Sequence, residues 1–308
     1  MTLTEREKLL EEITEKVSRD NGEHFTDTSR PDYIKSRLEK SEYEIFHETA
    51  LAVIYKKKNV KLGEKVVLIS SHVDCVDGIR KPSFKITKKG NYKGTFDNAA
   101  TNAVALISML ENRFADNVLI AFTGNEEQDS KGAKQVIKFL KKNGRKVIAI
   151  SLDVTFDLEN EEKNGLTTYG YASYTIDNLC RNTTEKTAKS LFEMADKLKI
   201  PFMVTRADDD EEVMDYFADK EKGIADYYAP NLEVEGVAYE DEAITYSKNK
   251  CCIGAFSLCL PTDDREENWH MHSDKMIKIK RKSFDDYMEA VVKIANGISV
   301  SDCREGEQ

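Results

Sequence analysis

The chain has 308 residues, 40% of them hydrophobic and 33% charged, with 5 Pro and 15 Gly, a composition that buries a sizeable core and excludes a disordered or collagen-like polymer. A formal net charge of −10 leaves no broad surface to neutralise phosphate, which argues against nucleic acid as a partner. No apolar run reaches the roughly 18 residues of a membrane span, and the polar opening residues do not read as a signal peptide, so a cytoplasmic protein without membrane contact is expected.

Residues 5–17 carry Leu9, Leu10, Ile13 and Val17 at helical spacing, which predicts an amphipathic first helix. Pro31 opens a second, with Tyr33, Ile34 and Leu38 on one face, and residues 49–55 read as a strand. Residues 65–72 (Lys-Val-Val-Leu-Ile-Ser-Ser-His) form a nearly continuous apolar run of strand length, the pattern of a strand covered on both faces. Residues 117–123 and 146–153 repeat it, with helical stretches at 97–110 and 131–140 between them. This alternation predicts an α/β sheet with helices on its faces.

A helix over 183–198, a strand over 201–205, a core strand over 252–258 and a last helix over 284–294 follow. Residues 207–236 are acidic and take no clear assignment; a lid or dimerisation insert is expected near 206–236. No repeat, Pro/Ser linker or low-complexity tract divides the chain, so one domain over 1–308 is the simpler reading. Cys75, Cys180, Cys251, Cys252, Cys259 and Cys303 lack zinc-finger spacing and read as reduced thiols, in keeping with a cytoplasmic location.

The five histidines are few enough that each position is informative: His24, His47, His72, His270 and His272. His72 ends a buried strand in Ser71-His-Val-Asp74, at the edge where open α/β sheets bind ligands. Extended backbone puts His72 and Asp74 on one side, so Asp74 can accept the second ring N–H and orient the imidazole as a metal ligand. A purely structural His–Asp pair explains this His-x-Asp spacing equally well. Asp97, in Gly94-Thr-Phe-Asp-Asn98, precedes a helix, where capping is its ordinary role.

Glu126 and Glu127 directly follow the strand over 117–123. Two adjacent acids there are costly to bury unless paired or metal-bound, unlike the solvated pairs at Glu11-Glu12 or Glu161-Glu162. Asp153 ends the third strand, and His270 and His272 precede the last helix. Together these groups supply what two zinc ions need: imidazole and carboxylate ligands, a carboxylate to bridge them, and open positions for water and substrate. One Glu of the pair can bind metal while its neighbour moves the proton.

The set Ser71-His-Val-Asp74, Gly94-Thr-Phe-Asp97-Asn98, Glu126-Glu127, Leu152-Asp153 and His272-Ser-Asp274 resembles the zinc aminopeptidase clan, over about two thirds of the chain. The resemblance implies a three-layer α/β/α fold with a mixed, mostly parallel sheet, phosphorylase/hydrolase-like. It implies that His72 and Asp153 bind one Zn2+, Glu127 and His272 the other, and that Asp97 bridges them. Glu126 would be the general base and Asp74 the partner of His72; His270 is the alternative last ligand, less suited because the family form is His-Ser/Thr before an acid.

Only residues 75–96 separate the first histidine from the bridging acid, too few for the domain that glutamyl and tetrahedral aminopeptidases insert there. That favours a compact single-domain aminopeptidase, although 147–156 reads equally like the other subgroup. The implied activity is hydrolysis of a small peptide or amino-acid amide. Carboxypeptidases and N-acyl amino acid deacylases of the clan, a glutaminyl-cyclase-type acyltransferase and a non-catalytic zinc scaffold are the alternatives. Cobalt or manganese suits the same ligands, and a homo-oligomer is compatible with the sequence. Cys75 reads as core or as backing for the metal site, Asp208 to Glu212 as a solvated loop, and Asp241 and Glu242 as candidates to recognise a free amino terminus.

Overall fold

The computed structural model describes residues 1–76, 79, 81–155, 172–180, 182–207, 234–238, 241–262 and 277–303. In chain order the elements are α1 (Leu3–Thr14), β1 (Arg19–Asp20), β2 (Phe25–Asp27), α2 (Ser29–Leu38), β3 (Tyr43–Glu48), β4 (Ala52–Lys57), β5 (Lys65–His72), β6 (Phe84–Ile86) and β7 (Tyr92–Gly94). Next come α3 (Ala99–Leu110), β8 (Val118–Thr123), α4 (Glu126–Asp129), α5 (Lys131–Lys142), β9 (Lys146–Thr155), β10 (Tyr174–Asp177), α6 (Glu185–Leu198) and β11 (Phe202–Ala207). The last are β12 (Val234–Ala238), α7 (Glu242–Ser247), β13 (Cys252–Pro261), β14 (Ile277–Ile279) and α8 (Arg281–Cys303).

Nine of the described strands make one sheet in the order β12-β11-β10-β13-β9-β5-β8-β4-β3. Its centre, β13-β9-β5-β8, is parallel throughout. The strands predicted from apolar runs fall in this block because they alone need no solvated face. β10 to β12 form a second parallel block running against β13, and β4 and β3 close the other side antiparallel.

Alternate residues of each central strand feed two cores. Val67, Ile69, Ile150 and Leu258 pack with α1, α3, α6 and α8, whereas Val66, Leu68, Ala149 and Ala255 pack with α5 and α7. The result is the expected three-layer α/β/α arrangement with a mixed, mostly parallel sheet. No helix among the described residues is long and apolar enough to cross a membrane.

Boundaries differ from expectation where local chemistry overrides periodicity. Thr2 and Glu5 form a reciprocal capping box that starts α1 at Leu3, and the helix ends at Thr14 rather than Val17. Helix α3 starts at Ala99: Asn98 precedes it, so Asp97 is not its cap. Between β5 and α3 lies no inserted domain; β6 and β7 form a hairpin that β14 extends to three strands. Most of the expected lid or dimerisation insert, 208–233, lies outside the described residues.

Candidate metal centre

In the parallel block His72 lies level with Thr123 on β8, and Ser71 level with Leu152 on β9, so the carboxyl ends of three strands share one edge. His72 is the last residue of β5, Asp153 lies near the end of β9 opposite Cys259 of β13, and Glu126 and Glu127 follow β8 within four residues. His72, Asp153 and the pair Glu126-Glu127 thus inherit their positions from strand register, and Asp97 joins them from the segment that leads into α3.

Four carboxylates surround the His72 ring. Its Nε2 lies 3.2 Å from Asp97 Oδ1, 3.6 Å from Asp153 Oδ1 and 3.8 Å from Glu126 Oε2, and its Nδ1 lies 3.5 Å from Asp74 Oδ1. Asp74 Oδ2 in turn accepts the Glu127 backbone N–H at 3.3 Å. Two triads bring potential ligand atoms within 4.8 Å of one another: His72, Asp97 and Glu127, and His72, Glu126 and Asp153. The side chains of Glu126 and Asp153 keep 13% and 18% of their surface exposed, so the cluster is nearly but not wholly closed off among the described residues.

Burial opposes charge on every member. It pushes the carboxyls of Glu126 and Glu127 well above the usual range and raises that of Asp153, with His72 pulling each of them back. Burial would lower His72 as well, but the acids around it, Glu126 foremost, outweigh that and hold its pKa well above the ordinary value. Acids gathered this closely cannot all ionise beside one imidazolium without a further cation. The donor set, oxygen-rich with one imidazole, therefore fits divalent metal.

Of the seven residues singled out for catalysis and metal binding, six come together: His72, Asp74, Asp97, Glu126, Glu127 and Asp153. His272 and its alternative His270 lie outside the described residues, as do Asp208 to Glu212. Cys75 is buried, with its Sγ 3.3 Å from Arg30 Nη2 and 3.9 Å from the Asp97 carbonyl, so it backs the site without facing it.

Several supporting residues escape the sequence reading. Asn102 Nδ2 donates to the His72 carbonyl at 2.7 Å and to Ser71 Oγ, and Asn98 Nδ2 donates to the Leu152 carbonyl at 2.7 Å, which ties α3 to the ends of β5 and β9. One Asn just before an Ala-rich helix and another in its first turns were the available signal. Asp20 accepts from the backbone N–H and Nδ2 of Asn125, both at 2.9 Å, and clamps the turn that presents Glu126. Arg30, fully buried, donates to the carbonyls of Lys16 and Val73.

Asp241 and Glu242 are buried beneath the sheet edge. Asp241 accepts from Ser257 Oγ and the Ala243 N–H, and Glu242 accepts from Ser70 Oγ, which also pairs with Tyr246 Oη.

An α/β/α sheet that gathers one imidazole and five acids at its carboxyl edge has the architecture of a metal-dependent peptidase. The chain belongs to peptidase family M28, whose model matches residues 51–295, and it is a metallopeptidase by that membership. No curated protein matches it.

Solved structures share the fold. A TET aminopeptidase from a marine sediment thaumarchaeon aligns with TM-score 0.64 at 10% identity, over 96% of this chain and 99% of that one. An aminopeptidase from the archaeon Desulfurococcus kamchatkensis aligns with TM-score 0.60 at 12% identity, over 97% and 98%. A dinuclear metal binding peptidase of the M20 family from Bacillus subtilis aligns with TM-score 0.57 at 11% identity, over 97% and 98%.

Proposed function

We infer that residues 1–308 form one catalytic domain of an aminopeptidase that binds two divalent metals, zinc foremost, and hydrolyses amide bonds of small peptides. The observation that carries this reading is the convergence of His72 with Asp97, Glu126, Glu127 and Asp153 at one sheet edge. The aminopeptidase names of its structural neighbours and the dinuclear site named for the M20 peptidase support it.

In this reading His72 and Asp153 would hold one metal, Glu127 and His272 would hold the other, and Asp97 would be a ligand common to both. The bound metals supply Lewis-acid polarisation of the scissile carbonyl and acidify water. Asp74 fixes the His72 ring through Nδ1, leaving Nε2 toward the cluster. Glu126 takes the proton from the attacking water and passes it to the leaving nitrogen.

The test is metal content together with hydrolysis of a panel of amino-acyl amides and N-acyl amino acids. About two metals per chain with turnover of the amides is the expected result. Turnover confined to the N-acyl compounds moves the assignment to a deacylase, and metal without any turnover makes the site a scaffold. Glu126→Gln should cut kcat by about 10²–10⁴-fold while metal stays bound. Glu127→Gln should lose metal instead.

A further inference from the structure

The small sheet of β14, β7 and β6 has one apolar face and one basic face. Tyr92 and Ile279 are buried, and Phe84 meets the rings of Tyr92 and Phe96. The alternate positions hold lysine. Register places Lys93 of β7 directly opposite Lys85 on one side and Lys278 on the other, so the three side chains leave the same face in a row. Neighbouring strands are about 4.8 Å apart, which makes the row about 10 Å across. Lys89 and Lys280 stand close to it: after burial, Lys93, Lys89 and Lys280 are what push the Lys278 pKa down. Residues 84–94 and 277–280 contain no acid, in a chain whose net charge is −10.

Like charges directly opposite one another destabilise a sheet. Lysine on an outer strand guards the edge against pairing with another chain, which accounts for Lys85 and Lys278 but not for Lys93 on the inner strand. Cations just past β14 are neutralised, Arg281 by Glu7 and Lys282 by Asp286. By contrast, no carboxylate among the described residues pairs with Lys85, Lys88, Lys89 or Lys93. The row also stands near the metal centre. Lys93 precedes Asp97 by four residues, so their Cα atoms are at most about 14 Å apart, and Asp97 lies 3.2 Å from His72.

We propose that this basic face docks an acidic segment of a polypeptide substrate, a few residues beyond the bond that is cut. The inference rests on the peptidase reading above. Four or five extended residues span the distance from the metal centre to the row. A polypeptide suits the face better than a nucleic acid or a lipid surface does. A row this short answers a few carboxylates, whereas the acidic remainder of the chain repels an extended polyanion.

Two peptide amides make the test, Leu-Gly-Gly-Gly-Glu-Glu-Glu and Leu-Gly-Gly-Gly-Gln-Gln-Gln. Initial kcat/KM is measured on metal-loaded protein, and Kd by calorimetry on metal-loaded Glu126→Gln. At low salt the acidic peptide should be favoured by roughly tenfold or more in both, and the ratio should shrink toward one at about 0.5 M salt. It should also fall toward one in Lys85→Gln/Lys93→Gln and be kept in Lys85→Arg/Lys93→Arg. Each ratio is taken within one variant, so a general loss of folding or of metal cancels. A wild-type ratio near one, or a preference that the double Gln variant leaves intact, overturns the proposal. Binding of a short DNA oligonucleotide or of phosphatidylserine vesicles as tightly as the acidic peptide overturns it too. Preferential binding of the acidic peptide without turnover of either peptide sinks the peptidase reading and leaves the docking face standing. Turnover of both at equal rates does the reverse.

Discussion

At the scale of single residues the site is a contest between protons and metal for the same buried groups. His72, Glu126, Glu127 and Asp153 all hold protons more tightly than usual in the metal-free protein, so metal must displace them. Affinity should therefore rise with pH, and calorimetry in two buffers of different ionisation enthalpy should show proton release on binding. Asp74→Asn removes the anion behind the His72 ring while leaving the ligands in place, and should weaken metal affinity by about 10–100-fold. Metal-competition titration checks this.

Glu242 gives a separate signature in the stability of the metal-free protein. Burial, the leading cause, raises its pKa from 4.5 to about 7, although hydrogen bonds from Ser70 and Thr123 pull it down. The folded chain thus holds this proton more tightly than the unfolded chain. Its contribution to stability is complete below about pH 4.5 and is lost as pH rises through 7. In chelator, Glu242→Gln should remove up to about 1.4 kcal/mol per pH unit of that decline across the window, read from denaturant unfolding at several pH values.

At the scale of elements the critical piece is the turn from β8 through α4 into α5. Asn125 and Ser130 take left-handed backbone on either side of α4, and Gly132 packs α5 onto the strand end. A Cβ on Gly132 would sit 2.6 Å from the carbonyl oxygens of Gly124 and Leu51, and neither backbone atom can yield cheaply. Gly132→Ala should cost about 1–3 kcal/mol of stability. It should also lower kcat through displacement of Glu126, with the stability measured by denaturant unfolding and the rate on the best amide probe.

At the scale of the whole molecule, the candidate ligands come from three parallel strand ends and the start of α3, which meet only in the folded chain. Metal then stabilises the native state by mass action, about 2.7 kcal/mol at a hundredfold excess over Kd. For a chain of this size a chelator should lower Tm by roughly 5 °C or more. An unchanged Tm would mean that metal binds the unfolded chain as well as the folded one.

The central strands were legible from sequence because a strand covered on both faces must be apolar nearly throughout, and β5, β8 and β9 are. His72 and Asp153 were legible for the same reason, since a polar group that ends such a run stands out against it, whereas Asp97 was legible only through the motif that resembles the peptidase clan. Residues whose role depends on partners far along the chain carried no such mark. Arg30 reaches Val73 across 43 positions and Glu242 reaches Ser70 across 172, and on the page they are an arginine before a proline and one acid among many. Local pattern declares what a residue must avoid, namely water or burial. Which distant group satisfies it is decided only when the sheet closes and sets the register.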